Sequence, residues 1–190
     1  MRRNERAGRP RKGRTLSADW EAVYTATFGD LVRYLYRKVW DPERAQELAQ
    51  ETFVRVLAQE RRGEGGRVEN PRALVFTVAA NLARDEARTV IRRKKHLALL
   101  KSDTEAAGAA TPDPNEEMQR DEERQRAQEA LRRLSDRDRE VLLLWDAGLS
   151  YEEIAAQTGL AQGAIGTTLS RARRRLVAAY ESMEGRHAAR

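Results

Sequence analysis

The chain contains no cysteine. Disulfides, thiolate metal sites and cysteine redox sensing are therefore outside its chemistry. Aromatic residues are sparse, at 6%, and there are only five prolines. Such a composition favours helices and leaves little apolar material for one large core. No apolar run approaches the ~18–20 residues that span a bilayer, and the N-terminus carries no apolar signal segment. The expectation is a cytoplasmic protein without membrane insertion. His96 and His187 stand singly in a basic and a terminal segment, so neither belongs to a ligand set. There is no phosphate-cradling Gly loop and no nucleophile–base pattern, and the one carboxylate cluster lies in a low-complexity stretch. No catalytic residue, no metal and no cofactor are expected.

What the chain has is charge, laid out in blocks. Lys and Arg number 36 against 30 Asp and Glu, for a net +6. The pI near 10.0 favours a polyanionic partner. Residues 1–15 form a basic arm, MRRNERAGRPRKGR at its start, without large apolar side chains. It is expected to be disordered alone, and serves either as a solubilising tail or as a phosphate-binding arm. Residues 98–120 are rich in Ala, Gly, Pro and carboxylates and read as a flexible linker. Residues 16–97 and 121–182 carry helical periodicity, and 183–190 form a tail. The expected fold class is all-α: two small helical domains joined by a flexible acidic linker.

In the first domain Ser17 is placed to cap a helix running to about Val39. Trp20, Val23, Tyr24, Phe28, Leu31, Leu35 and Val39 make its apolar face. Asp41-Pro42 restarts helix formation, since Pro at the first helical position loses no hydrogen bond. The second helix, to about Gln59, buries Ala45, Leu48, Ala49, Thr52, Phe53, Val56 and Leu57 and turns Glu43, Glu47, Gln50 and Glu51 outward. An acidic face on a basic chain points to a basic protein partner; a plain solvated face is the alternative. Arg61 to Glu69 is a loop with three glycines, and Asn70-Pro71 opens a third helix to about Lys95. Its first half is apolar nearly all round. In its second half Arg84, Arg88, Arg92 and Lys95 line one face. Like charges at this spacing cost a few tenths of a kcal/mol per pair. Neutralising phosphates would remove that cost, and a solvated stripe is again the alternative.

The most informative stretch is Leu149 to Leu176, LSYEEIAAQTGLAQGAIGTTLSRARRRL. Ser150 and Glu153 form a capping box. Gly159 can take positive φ and turn the chain sharply. Ile165, Leu169, Ala172 and Leu176 then recur as an apolar stripe, opposite Gln162, Gly163, Gly166, Thr167, Ser170, Arg171 and Arg174. A short helix, a Gly turn and a second helix with a polar outer face make a helix-turn-helix, whose second helix enters the DNA major groove. An ordinary helical hairpin in a bundle is the bland alternative.

Three stretches together resemble the extracytoplasmic-function sigma factors, the two-domain RNA polymerase specificity subunits of the sigma-70 family (group IV). DPERAQELAQETFVRV, Asp41 to Val56, resembles the polymerase-binding helix of sigma region 2. NPRALVFTVAANLARD, Asn70 to Asp85, resembles the helix that meets the −10 promoter element. Leu131 to Leu176 resembles region 4, which reads the −35 element. The chain departs from the pattern at Leu74, where Trp is frequent, at Ala80, and at Gly166 and Thr168, where basic residues are common.

The resemblance implies an alternative sigma factor that directs promoter-specific initiation and helps open the −10 DNA. Its partners would be core RNA polymerase, through the clamp helices of the largest subunit and through the flap, together with promoter DNA and an anti-sigma factor. Glu47, Gln50 and Glu51 would meet polymerase. Arg61, Arg62, Arg67, Asn81, Arg84, Arg88 and Arg92 would serve the −10 element. Gln162, Thr167, Thr168, Ser170, Arg171, Arg173, Arg174 and Arg175 would serve the −35 element. Two rival readings remain. A stand-alone repressor predicts dimerisation and a palindromic site, but no dimerisation helix is evident. A nucleic-acid-processing enzyme needs a converging site, and none is evident.

Overall fold

Seven helices and no strand occur among the described residues, which in this computed structural model are 18–63, 68–100 and 116–187. In chain order they are α1 (Trp20–Val39), α2 (Pro42–Arg62), α3 (Pro71–Leu100), α4 (Glu116–Arg132), α5 (Asp136–Asp146), α6 (Tyr151–Thr158) and α7 (Gln162–His187). The basic arm, residues 64–67 and the central part of the acidic linker, 101–115, lie outside the described residues.

Helix ends explain the boundaries. Asp19, not Ser17, caps α1: its carboxylate accepts from the Ala22 N–H at 3.1 Å, and Ser17 lies outside the described residues. Asp is as good an N-cap as Ser, and it directly precedes the first buried residue, Trp20. Asp41 and Pro42 open α2 as expected, but α2 runs on to Arg62 because the first residue able to leave it, Gly63, stands there at φ 72°. Arg61 and Arg62 thus sit in its last turn, where cations favour the helix dipole. Asn70 caps α3 by accepting from the Ala73 N–H at 2.9 Å. Nothing in Leu97 to Leu100 breaks a helix, so 98–100 belong to α3 and 116–120 to α4. Both ends of the linker as drawn from composition are helical.

α1, α2 and α3 pack as one three-helix unit around Trp20, Leu31, Leu35, Leu48, Phe53, Val56, Val75, Phe76 and Ala79. The stripe of α1 is rotated relative to its sequence pattern. Thr27 and Tyr34 are buried, while Tyr24 is exposed and stacks on Phe28 at 4.7 Å. Thr27 is tolerated inside because its hydroxyl donates back to the Val23 carbonyl. In the second unit α7 is the hub, touching α4, α5 and α6 around Leu134, Val141, Leu144, Ile154, Ile165, Leu169 and Ala172. The two units also touch each other, α1 against α5 and α3 against α6. A cavity of about 920 Å³ remains between them, with Tyr36 and Trp40 on one wall and Leu131, Trp145 and Val177 on the other.

Candidate nucleic-acid interface

The helix-turn-helix forms as its sequence dictates. Ser150 caps α6 by accepting from the Glu153 N–H at 3.3 Å, and Glu153 accepts from the Ser150 N–H at 2.6 Å. Burial alone would raise the Glu153 pKa. The Ser150 bonds and the Asn70 amide, 2.8 Å away, outweigh it and hold the carboxyl below its ordinary value. Gly159 ends α6 at φ 72°, donating to the Ala155 carbonyl at 2.9 Å. Leu160 fills the corner, half-buried against the core.

The eight residues expected to serve the −35 element divide three ways. Gln162, Thr167, Ser170, Arg171 and Arg174 are exposed together on the outer side of α7. Thr168 is corrected: it is 2% exposed. It lies three residues after Ile165 and four before Ala172, on the stripe that faces the core, so it reaches no base edge. Arg173 lies with its guanidinium 3.8 Å from the centre of the Trp145 ring, and Arg175 pairs with the buried carboxylate of Asp138. Both tie α7 to α5. Removing Arg175 would strand a buried charge, which costs more than a surface ion pair contributes. Sequence pattern also missed Tyr151, which is 45% exposed. Its ring is 3.6 Å from where a Cβ on Gly166 would stand. The signal was there: a glycine inside a helix leaves room for a neighbour.

On α3, Asn81, Arg84, Arg88 and Arg92 are all exposed. Each arginine is held by its own helix: Arg84 by Asn81 at 2.9 Å, Arg88 by Asp85 at 3.4 Å, and Arg92 by the Thr89 hydroxyl at 3.3 Å. Such exposed pairs are weak enough for phosphate to displace. Arg61 and Arg62 are exposed at the end of α2, and Arg67 lies outside the described residues. On α2, Glu47 and Gln50 are exposed and Glu51 is half-buried. Glu47 pairs with Arg44 at 2.8 Å, and Glu51 pairs with Arg55. Arg44 also reaches Glu86 on α3 at 2.7 Å; its bonds to Glu86 and Glu47 push its pKa up, so it stays charged. Beside this face Val54 is 65% exposed, an apolar patch that sequence pattern did not mark. It falls between the core positions Phe53 and Val56, off the buried stripe.

Among the described residues no His, Asp and Glu cluster is arranged for a metal, and no helix is long and apolar enough to cross a membrane. Residues 23–93 match the family described as Sigma-70 region 2, and residues 124–176 match Sigma-70, region 4. The chain is 31% identical over 147 residues to the ferric citrate uptake sigma factor FecI of Escherichia coli K12, covering 77% of this chain and 82% of that protein. It is 35% identical over 137 residues to the ECF RNA polymerase sigma factor EcfG of Rhodopseudomonas palustris, covering 72% of this chain and 71% of that one. In fold it resembles the sigma factor RpoE of Bartonella quintana, solved with the anti-sigma factor NepR. The TM-score is 0.57 at 24% identity, over 86% of this chain and 97% of that one. With regions 2 and 4 both present, in that order, the chain belongs to the sigma-70 family as an ECF-type alternative sigma factor, a protein that directs promoter-specific transcription initiation.

Proposed function

We propose that this sigma factor divides its work among three faces. Glu47, Gln50 and Glu51 on α2, with Val54 beside them, meet a basic helical surface of core polymerase. Gln162, Thr167, Ser170 and Arg171 approach −35 base edges, with Arg174 on phosphate. Asn81 and the stripe Arg84, Arg88 and Arg92 hold the −10 strand, helped by Arg61, Arg62 and Arg67. The observation that carries this reading is the two-sidedness of α7: Ile165, Leu169 and Ala172 are buried while the polar residues between them are exposed. One good base contact discriminates by about 1–3 kcal/mol, and phosphate contacts set position without specifying sequence.

Energy decides how far the chain acts alone. Opening about a dozen base pairs at ~1.4 kcal/mol per step costs on the order of 15 kcal/mol. A three-helix unit with one basic stripe does not supply that, so the polymerase cleft contributes and the free chain binds promoter DNA poorly. The chain has no catalytic role of its own and works in the cytoplasm. An anti-sigma factor is its natural antagonist, by analogy with the Bartonella protein solved with NepR.

The test is transcription in vitro with purified core polymerase and pooled promoter fragments, with and without the chain. Chain-dependent transcripts that share −35 and −10 elements are expected. Tight duplex binding by the isolated chain without any transcript would instead identify a repressor.

A further inference from the structure

The contacts between the two units form a reciprocal set. Arg72, at the start of α3, donates to the carbonyl of Ala147, the residue that ends α5. Arg124, on α4, donates at 2.6 Å to the carbonyl of Trp40, the residue that ends α1. Each unit thus places a guanidinium on the orphan carbonyls and negative dipole end of a helix in the other. Trp40 holds a left-handed φ of 59°, unusual for a bulky residue, at the point where Arg124 grips it. Between these two clamps lies a third contact. Glu140 of α5 accepts from the Tyr34 hydroxyl at 2.7 Å and pairs with Lys38, both on α1. Arg37 pairs with Asp146 at 2.5 Å, and the Gln157 amide donates to the Phe76 carbonyl at 3.2 Å. Gly148 stands at φ 81° beside Arg72, and a Cβ there would come within 3.0 Å of its guanidinium.

These bonds hold the two DNA-reading helices close. Gln162 opens α7 five residues after Gln157, and Asn81 lies five residues along α3 from Phe76. With Gln157 bonded to Phe76, chain reach keeps Gln162 within about 40 Å of Asn81. Elements centred at −35 and −10 are about 25 base pairs apart, or about 85 Å along duplex DNA at 3.4 Å per pair. One closed chain does not span both.

We infer that Arg72, Arg124 and Glu140 are the bolts of an interdomain latch that keeps the free chain closed and that must release before both promoter elements are engaged. Its composition suits release. The junction is mostly polar and charged, and its apolar part is left open by the cavity of about 920 Å³. Contacts of this kind separate far more readily than a packed core. Glu47, Gln50 and Val54 stay exposed in the closed form. Polymerase docking through α2 therefore precedes opening and does not depend on it. The promoter consequence rests on the sigma function above; the closed state of the free chain does not.

The absence of cysteine makes the test direct. Ala26 and Ala178 are exposed and outside every contact named above; Ala26→Cys and Ala178→Cys carry a donor and an acceptor dye. Efficient energy transfer is expected in the free chain. It should fall on Lys38→Glu and return in Lys38→Glu/Glu140→Lys. It should fall also in Arg72→Ala/Arg124→Ala, with helix content by circular dichroism unchanged, and in the unmodified junction once core polymerase and promoter DNA are both present. Low transfer in the free chain, or transfer unmoved by both sets of substitutions, overturns the latch. High transfer persisting while promoter transcripts form overturns its role in initiation. If no promoter yields a transcript, the sigma function fails, and the free-chain measurement still decides the latch.

Discussion

The Tyr34 hydroxyl donates to Glu140 across 2.7 Å, joining two residues 106 positions apart on helices of different domains. Burial, then the Glu140 charge, pushes the Tyr34 pKa well above its ordinary 10. Up to pH 10 the phenol is neutral in folded and unfolded chains alike, so the bond is intact. Above that, the unfolded phenol ionises first, and the contribution is lost as pH rises toward the folded value. Ultraviolet titration should show one of the five tyrosines resisting ionisation. In Glu140→Gln that resistance should shrink but not vanish, because burial remains.

Glu153 has the opposite sign. Its carboxyl is held below the usual 4.5, so its stabilisation is present above that value and lost as pH falls through the folded pKa. Thermal melts should show α6 and the whole second unit weakening on acidification. Glu153→Gln keeps an acceptor and flattens that acid dependence. Ser150→Ala costs about 1 kcal/mol at any pH, by removing the cap itself.

Thr168→Val tests the correction on α7. A buried hydroxyl is exchanged for a methyl of similar shape, so promoter choice should not change. Arg171→Ala should relax −35 preference, at a cost of about 1–3 kcal/mol. Arg174→Ala should weaken all promoters alike and lower the salt slope by about 1. If Thr168→Val altered specificity as Arg171→Ala does, the face assigned here to DNA would be wrong.

Arg175→Ala should destabilise the second unit by about 3–5 kcal/mol, since it leaves the Asp138 carboxylate buried and unpaired. Replacing both partners, Asp138→Asn with Arg175→Gln, should recover most of that loss. Denaturant melts of the single and double variants check both statements.

Val54→Glu should leave folding intact, since the side chain is 65% exposed. It should still weaken core polymerase binding, as should Glu47→Lys. Pull-down of core polymerase by each variant measures this directly.

How much of this was written in the chain is clear from particular residues. Asp41-Pro42, Asn70-Pro71, Ser135, the Ser150–Glu153 box and Gly159 act within a few positions of themselves. Their local hydrogen bonds and φ preferences place helix ends whatever surrounds them. The stripe of Ile165, Leu169 and Ala172 likewise follows from helical period. Local chemistry thus determined seven helices, two units and the outer face of the recognition helix. What period alone left open is which residue wins a shared face. Thr168 goes inside because α7 is covered by α4, α5 and α6 at once, and Tyr34 is buried because α5 lies across α1. Arg173 and Arg175 were basic residues like their neighbours until Trp145 and Asp138 were brought under them. The clamps at Ala147 and Trp40 depend on side chains 75 and 84 positions from the carbonyls they bind. No local pattern records such pairs, because the free energy that forms them exists only once the two units have been packed together.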